Sequence, residues 1–119
     1  MILVKLMEQI KKHPGFHRAG MVLCHNGVVR GTSRDGRKVS GLRVAVDHQK
    51  LDQIIESNKN LPGILEILVH INEGKDLVVG DDVMYLVVAG DFRENVISGL
   101  HTTLDEIKSS VTQKTEYFL

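Results

Sequence analysis

Two apolar runs, Met21 to Val29 and Val39 to Val46, flank a turn-rich segment, and no other feature of the chain constrains its fold as strongly. Gly31, Asp35 and Gly36 within that segment adopt positive φ at low cost. The pattern therefore predicts two antiparallel strands joined as an N-terminal β-hairpin. Its charge is one-sided. Arg30, Arg34, Arg37, Lys38 and Arg43 lie on it against Asp35 alone, although the 15 basic and 15 acidic residues of the whole chain cancel. Positive charge gathered at one place on a neutral chain points to an anionic ligand or partner. The competing explanation is a solvated tip whose cations keep a sheet edge soluble.

Around the hairpin, Leu3, Leu6, Met7 and Ile10 recur at helical spacing until Pro14-Gly15 stops the pattern, which predicts a short amphipathic helix. Asp47 is placed to cap a second helix with Leu51, Ile54 and Ile55 facing inward, and Pro62-Gly63 ends the connection after it. Ile64 to Ile71 is apolar on both faces and reads as a central strand. Leu77 to Val79, the turn Gly80-Asp81 and a strand from Val83 to Ala89 follow. Asp91 and Glu94 have capping-box spacing, so a last helix should begin near Phe92, with Ile97, Leu100, Leu104, Ile107 and Val111 as its apolar stripe. The order α-β-β-α-β-(β)-β-α predicts an α+β domain over residues 1–119, with helices packed on a mixed or antiparallel sheet.

Composition narrows the function classes. A chain of 119 residues supports one core. Three Phe, two Tyr and no Trp leave that core to aliphatic side chains and offer no platform for stacking bases, so with a neutral net charge a nucleic-acid partner is not expected. The single cysteine excludes an internal disulfide, and no run approaches the ~20 apolar residues of a membrane helix. The opening Met-Ile-Leu-Val-Lys-Leu lacks the long apolar region and cleavage site of a signal peptide, so a cytoplasmic protein is expected.

Several residues are candidates for chemistry. Cys24 and His25 adjoin, but neighbours on a strand point to opposite faces, so a buried structural cysteine is expected there and not a nucleophile with its base. His13 and His17 have the spacing of metal ligands, yet Pro14-Gly15 breaks the helix that would align them, and His48, His70 and His101 form no ligand set. No metal site is expected. Arg93 falls in the first turn of the last helix, where free N–H groups and the dipole favour an anion. Lys108 comes 15 residues later, so the two side chains leave the helix about 22 Å apart. One small ligand can meet both only across a two-fold dimer interface.

The run Gly27-Val28-Val29-Arg30, a short loop, then Gly36-Arg37-Lys38-Val39 and Leu42 resembles the hairpin of the large, catalytic subunit of molybdopterin synthase, the MoaE family. Gly80-Asp81, Arg93, Asp105 and Lys108 follow in the order and spacing of that family, so the resemblance covers residues 19–111. It implies an α/β hammerhead fold and a homodimer whose active site lies across the interface, with Arg93 supplied by the neighbouring copy. It implies transfer of sulfur from the C-terminal thiocarboxylate of a small ubiquitin-like MoaD-type partner to cyclic pyranopterin monophosphate, forming a dithiolene with no metal or organic cofactor. Lys108 and Lys114 would be its catalytic residues, and Arg30, Arg37 and Arg93 would bind the pterin phosphate. The chain departs from the family pattern at Phe92, where a histidine is usual, at Ala45-Val46-Asp47, where the family has E-x-Y, and at Thr115, where the second lysine falls. Lys114 stands beside that position and would point elsewhere if the segment stays helical. The sequence also ends at Leu119, before the family's C-terminal extension. These departures leave an alternative open, a catalytically impaired MoaE-like dimer acting as an anion-binding or partner-binding scaffold.

Overall fold

Val83 to Ala89 contains no charged residue, and in the computed structural model, which describes residues 1–119, this run becomes the middle of the fold. Strand β5 (Asp82–Gly90) lies between β1 (Met21–Val28) and β3 (Ile64–Ile71) in an antiparallel sheet of order β1-β5-β3. Its side chains alternate between two covered faces. Leu86 and Val88 pack with Ile67 and with Val96 of helix α3 (Arg93–Glu106), while Val87 and Ala89 pack with Ile10 of helix α1 (Ile2–Lys11). Each such buried Leu, Ile or Val side chain contributes about 1.5–3 kcal/mol. The expectation that Ile64 to Ile71 is central is corrected, because β3 is an edge strand. It is apolar on both faces because Leu65 and Leu68 meet the α1 layer while Ile67 and Val69 meet the layer of α3 and helix α2 (His48–Asn58).

A second antiparallel sheet has the order β4-β2-β6, built from β2 (Val39–Val46), the two-residue β4 (Leu77–Val78) and β6 (Thr112–Phe118). Here the hairpin expectation is corrected: β1 and β2 do not pair with each other. β1 pairs with β5, β2 pairs with β6 and β4, and only the connection keeps hairpin character, through a bridge between Thr32 and Lys38 and the bond from Val39 N–H to the Gly31 carbonyl at 3.0 Å. Gly36 is the tip's sole residue at positive φ, 89°; Gly31 and Asp35 are not used that way. All strand pairings are antiparallel, so the α+β class holds without a parallel component. Gly41 allows β2 its approach to β4, since a Cβ there would collide with the Leu77 carbonyl oxygen.

The helices follow their capping chemistry. The Asp47 carboxylate accepts from Lys50 N–H at 3.1 Å and opens α2. At α3 the cap position is Phe92, and the Asp91 carboxylate accepts from the Phe92 N–H at 2.5 Å and from the Asn95 amide at 2.9 Å. The buried stripe of α3 is Val96, Gly99 and Thr103, and the expected member Ile97 is 48% exposed. Ile64 fills the space above Gly99, and the Thr103 hydroxyl accepts from the Asn58 amide at 2.9 Å. A small residue and a satisfied hydroxyl therefore occupy the face that apolar counting gave to Ile97. After α3 a π-helical turn (Ile107–Val111) leads directly into β6, where the sequence suggested a longer helix. No helix is long and apolar enough to cross a membrane.

Candidate functional site

The two sheets and the end of the last helix enclose a pocket of about 320 Å³. β1 contributes His25 and Gly27, β2 contributes Leu42 and Val44, and the π turn contributes Ile107 and Lys108. The floor is apolar because Leu42 and Val44 belong to the core beneath the second sheet and Ile107 and Met84 to the core beneath α2. The rim is cationic. Arg34 from the tip, Lys108 and Lys114 border the pocket, and an adjoining depression of about 530 Å³ shares those three cations and adds Arg30. None of the four is in an ion pair; the cations that are paired lie elsewhere, Arg43 with Asp76 at 3.3 Å and Lys59 with Glu66 at 3.1 Å. An apolar floor under three unpaired cations, with Arg30 and Glu116 in the adjoining depression, suits an anion attached to a ring or another apolar body.

Lys114 reaches this site because of the break after α3. The wide π turn ends the helix, and alternation along β6 puts Thr112, Lys114 and Glu116 on the pocket side, leaving Gln113, Thr115 and Tyr117 on the other. The expectation that Lys114 would point elsewhere holds only for a continued helix and is corrected by the strand. Thr115 does not line either depression.

The remaining expected site residues are placed apart. Arg30 donates from Nε to the Thr32 carbonyl at 2.8 Å and lines the outer depression. Arg37 lines neither depression; its guanidinium lies 3.6 Å from the centre of the Phe118 ring, which fastens the tip to β6. Arg93 sits exposed at the far end of α3, beside Glu94 at 3.7 Å, with Phe92 exposed next to it. Within one chain it does not meet Lys108.

Two residues of the pocket escaped the sequence reading. In the sequence Arg34 is one charge among five on the predicted hairpin. His25 stands out in the sequence only beside Cys24, although its alternation with Gly27 on β1 is a usable signal. Its Nε2 is buried without a hydrogen-bond partner, and burial and the nearby Lys108 both push the imidazole below its ordinary value. Cys24 faces the other way and is exposed at the sheet edge, which corrects the buried placement; its thiol donates to Met7 Sδ at 3.2 Å. At the tip, the Asp35 carboxyl is lowered chiefly by the Ser33 hydroxyl, with further bonds to the local backbone, and this holds the turn that presents Arg34. His13 is occupied locally, its Nδ1 accepting from Gly15 N–H at 2.9 Å.

Residues 3–110 match the model of the family described as MoaE protein, which spans most of this chain. The chain belongs to the MoaE family. Solved structures share its fold. A molybdopterin synthase from Staphylococcus aureus is 21% identical with a TM-score of 0.77, covering 94% of this chain and 84% of that one. A molybdopterin cofactor biosynthesis protein E from Burkholderia multivorans is 19% identical with a TM-score of 0.74, covering 100% of this chain and 83% of that one. A complex of subunits 1 and 2 of the molybdopterin-converting factor from Helicobacter pylori matches at 16% identity with a TM-score of 0.71, covering 99% and 84%. No curated protein sequence matches the chain.

Proposed function

We propose that this protein is the large subunit of a molybdopterin synthase, acting in molybdenum cofactor biosynthesis. It would receive sulfur from the thiocarboxylated C-terminus of a small MoaD-type partner and pass it to cyclic pyranopterin monophosphate. The observation that carries this reading is the convergence of Lys108, Lys114 and Arg34 on one apolar-floored pocket, with Arg30 in the adjoining depression and none of the four in an ion pair. Family membership supports the same reading, and the Helicobacter pylori relative is a two-subunit complex.

The cations act together on the phosphate and divide the rest of the chemistry. Arg30 and Arg34 bind the substrate's phosphate together with Lys108 and Lys114, which line the same depression. At the junction of π turn and β6 the two ammonium groups also stabilise the oxyanions that develop as sulfur leaves the acyl group, or supply a proton. Arg93, remote from Lys108 in its own chain, completes the site of a second copy in a homodimer. Arg37 acts indirectly by fastening the tip to Phe118. Lys108→Ala tests the reading: sulfur transfer is expected to stop while light scattering still finds a dimer, and unchanged turnover would remove Lys108 from the mechanism.

A further inference from the structure

The pocket contains one polar atom that the cation-based account does not use. His25 Nε2 is the chain's single buried side-chain nitrogen or oxygen without a hydrogen-bond partner. A buried polar atom left unpaired carries its full desolvation penalty, and an apolar ring would fill the same space without it. Groups of this kind are rare in folded proteins and mark a place where a partner is missing.

The surroundings leave room for that partner. Gly27 is the next residue on the same face of β1, and a Cβ there would come within 3.4 Å of His25 Nε2. The absent side chain leaves the space beside the ring to the pocket, which His25 and Gly27 both line. On the strand's other side in the sheet, His25 is opposite Leu86, which is fully buried and supplies no polar group. The charged groups that share the pocket are Arg34, Lys108 and Lys114, all cations, and none can accept a proton from the ring in their charged forms. Burial, and then the charge of Lys108, favour the uncharged imidazole. A neutral imidazole offers one donor and one acceptor and adds nothing to the positive charge of the rim.

We propose that His25 is a specificity-determining residue of this pocket: its Nε2 hydrogen-bonds an uncharged polar group on the ring of a heterocyclic ligand whose anionic group is held by Arg34 and Lys108. The inference rests on the reading of the pocket as a pterin phosphate site and deepens it. The cations select for the anion, and His25 selects for the ring that carries it.

The test is a binding titration of cyclic pyranopterin monophosphate, with inorganic phosphate as the ringless probe, against wild type, His25→Phe, His25→Gln and Lys108→Ala. His25→Phe is expected to weaken pterin phosphate binding about 10-fold, the effect of losing one ordinary hydrogen bond, without changing the response to inorganic phosphate. His25→Gln keeps a polar atom near the Nε2 position and should recover most of that loss. In protein carrying 15N-labelled histidine, the His25 Nε2 resonance should move on saturation with pterin phosphate and stay in place with inorganic phosphate. If His25→Phe binds the pterin phosphate as tightly as wild type while Lys108→Ala binds it weakly, the pocket reading stands and the role of His25 is overturned. His25→Gln as weak as His25→Phe, with an unmoved resonance, would reduce His25 to a packing residue and overturn it equally. If wild type binds no pterin phosphate, the pocket reading fails and this inference fails with it.

Discussion

Lys114→Ala and Thr115→Ala give opposite outcomes if β6 sets the site as described. Lys114 lies on the pocket side of the strand and Thr115 on the other, so only the first substitution removes a cation from the rim. The Lys114 side chain is exposed, which makes water's dielectric the right one for its attraction to a ligand. Two unit charges about 4 Å apart attract by about 1 kcal/mol in that medium. The phosphate of cyclic pyranopterin monophosphate is a cyclic diester with one negative charge, so this figure applies unscaled. A Debye length of about 8 Å at physiological salt trims it by roughly two fifths, leaving about 0.6 kcal/mol. Lys114→Ala should therefore weaken binding of cyclic pyranopterin monophosphate about 3-fold in a calorimetric titration, and the difference should shrink as salt rises. Thr115→Ala should match wild type, and Lys114→Ala combined with Thr115→Lys should remain weak because the restored charge faces away. Equal losses from Lys114→Ala and Thr115→Ala would refute the strand assignment of the second lysine.

Other consequences follow from the same geometry. Arg93→Ala and Lys108→Ala, each inactive alone, should recover about a quarter of wild-type sulfur transfer when mixed and allowed to exchange subunits, since half the dimers then hold one intact site; no recovery would sink the shared site. Leu86→Ala, at a fully buried position in the central strand, should cost about 2–5 kcal/mol in urea unfolding with an unchanged slope, and a loss under about 1 kcal/mol would mean that β5 is not the core of the sheet. The Asp91 carboxyl is lowered from 3.8 chiefly by the Asn95 amide and also by the Phe92 N–H, so its contribution to stability is present above that value and lost as pH falls through the lower folded one. The stability gap between wild type and Asp91→Ala should be full at neutral pH and close in strong acid; a gap that widens on acidification would contradict the cap.

Much of this architecture was legible in the residues, and the misses share a cause. Local signals did well where the structure is local: Asp47 opens α2, Pro14-Gly15 follows α1, and Gly36 sits at positive φ in the tip. Pairing partners were not legible, because two apolar runs around a turn look alike whether they pair with each other or diverge into separate sheets. β6 was the decisive omission. Its sequence, Thr-Gln-Lys-Thr-Glu-Tyr-Phe, lacks apolar alternation, since only one side of the strand meets the core and Thr112 and Glu116 are its half-buried members. Without β6 there was no partner for β2 and no means of turning Lys114 toward Lys108. The site was legible as a charge excess and through Arg30 and Lys108 of the resemblance, while Arg93 lies outside both depressions. Arg34 and His25 were not, because a loop arginine and a strand histidine acquire a role only when the second sheet closes over them.

The most direct measurement is single-turnover conversion of cyclic pyranopterin monophosphate by this protein together with its thiocarboxylated MoaD-type partner. The account predicts dithiolene formation by the wild type and none by Lys108→Ala. Binding of both the pterin and the partner with no dithiolene formed by the wild type would contradict it, and would leave a MoaE-like pocket that holds its ligands without transferring sulfur.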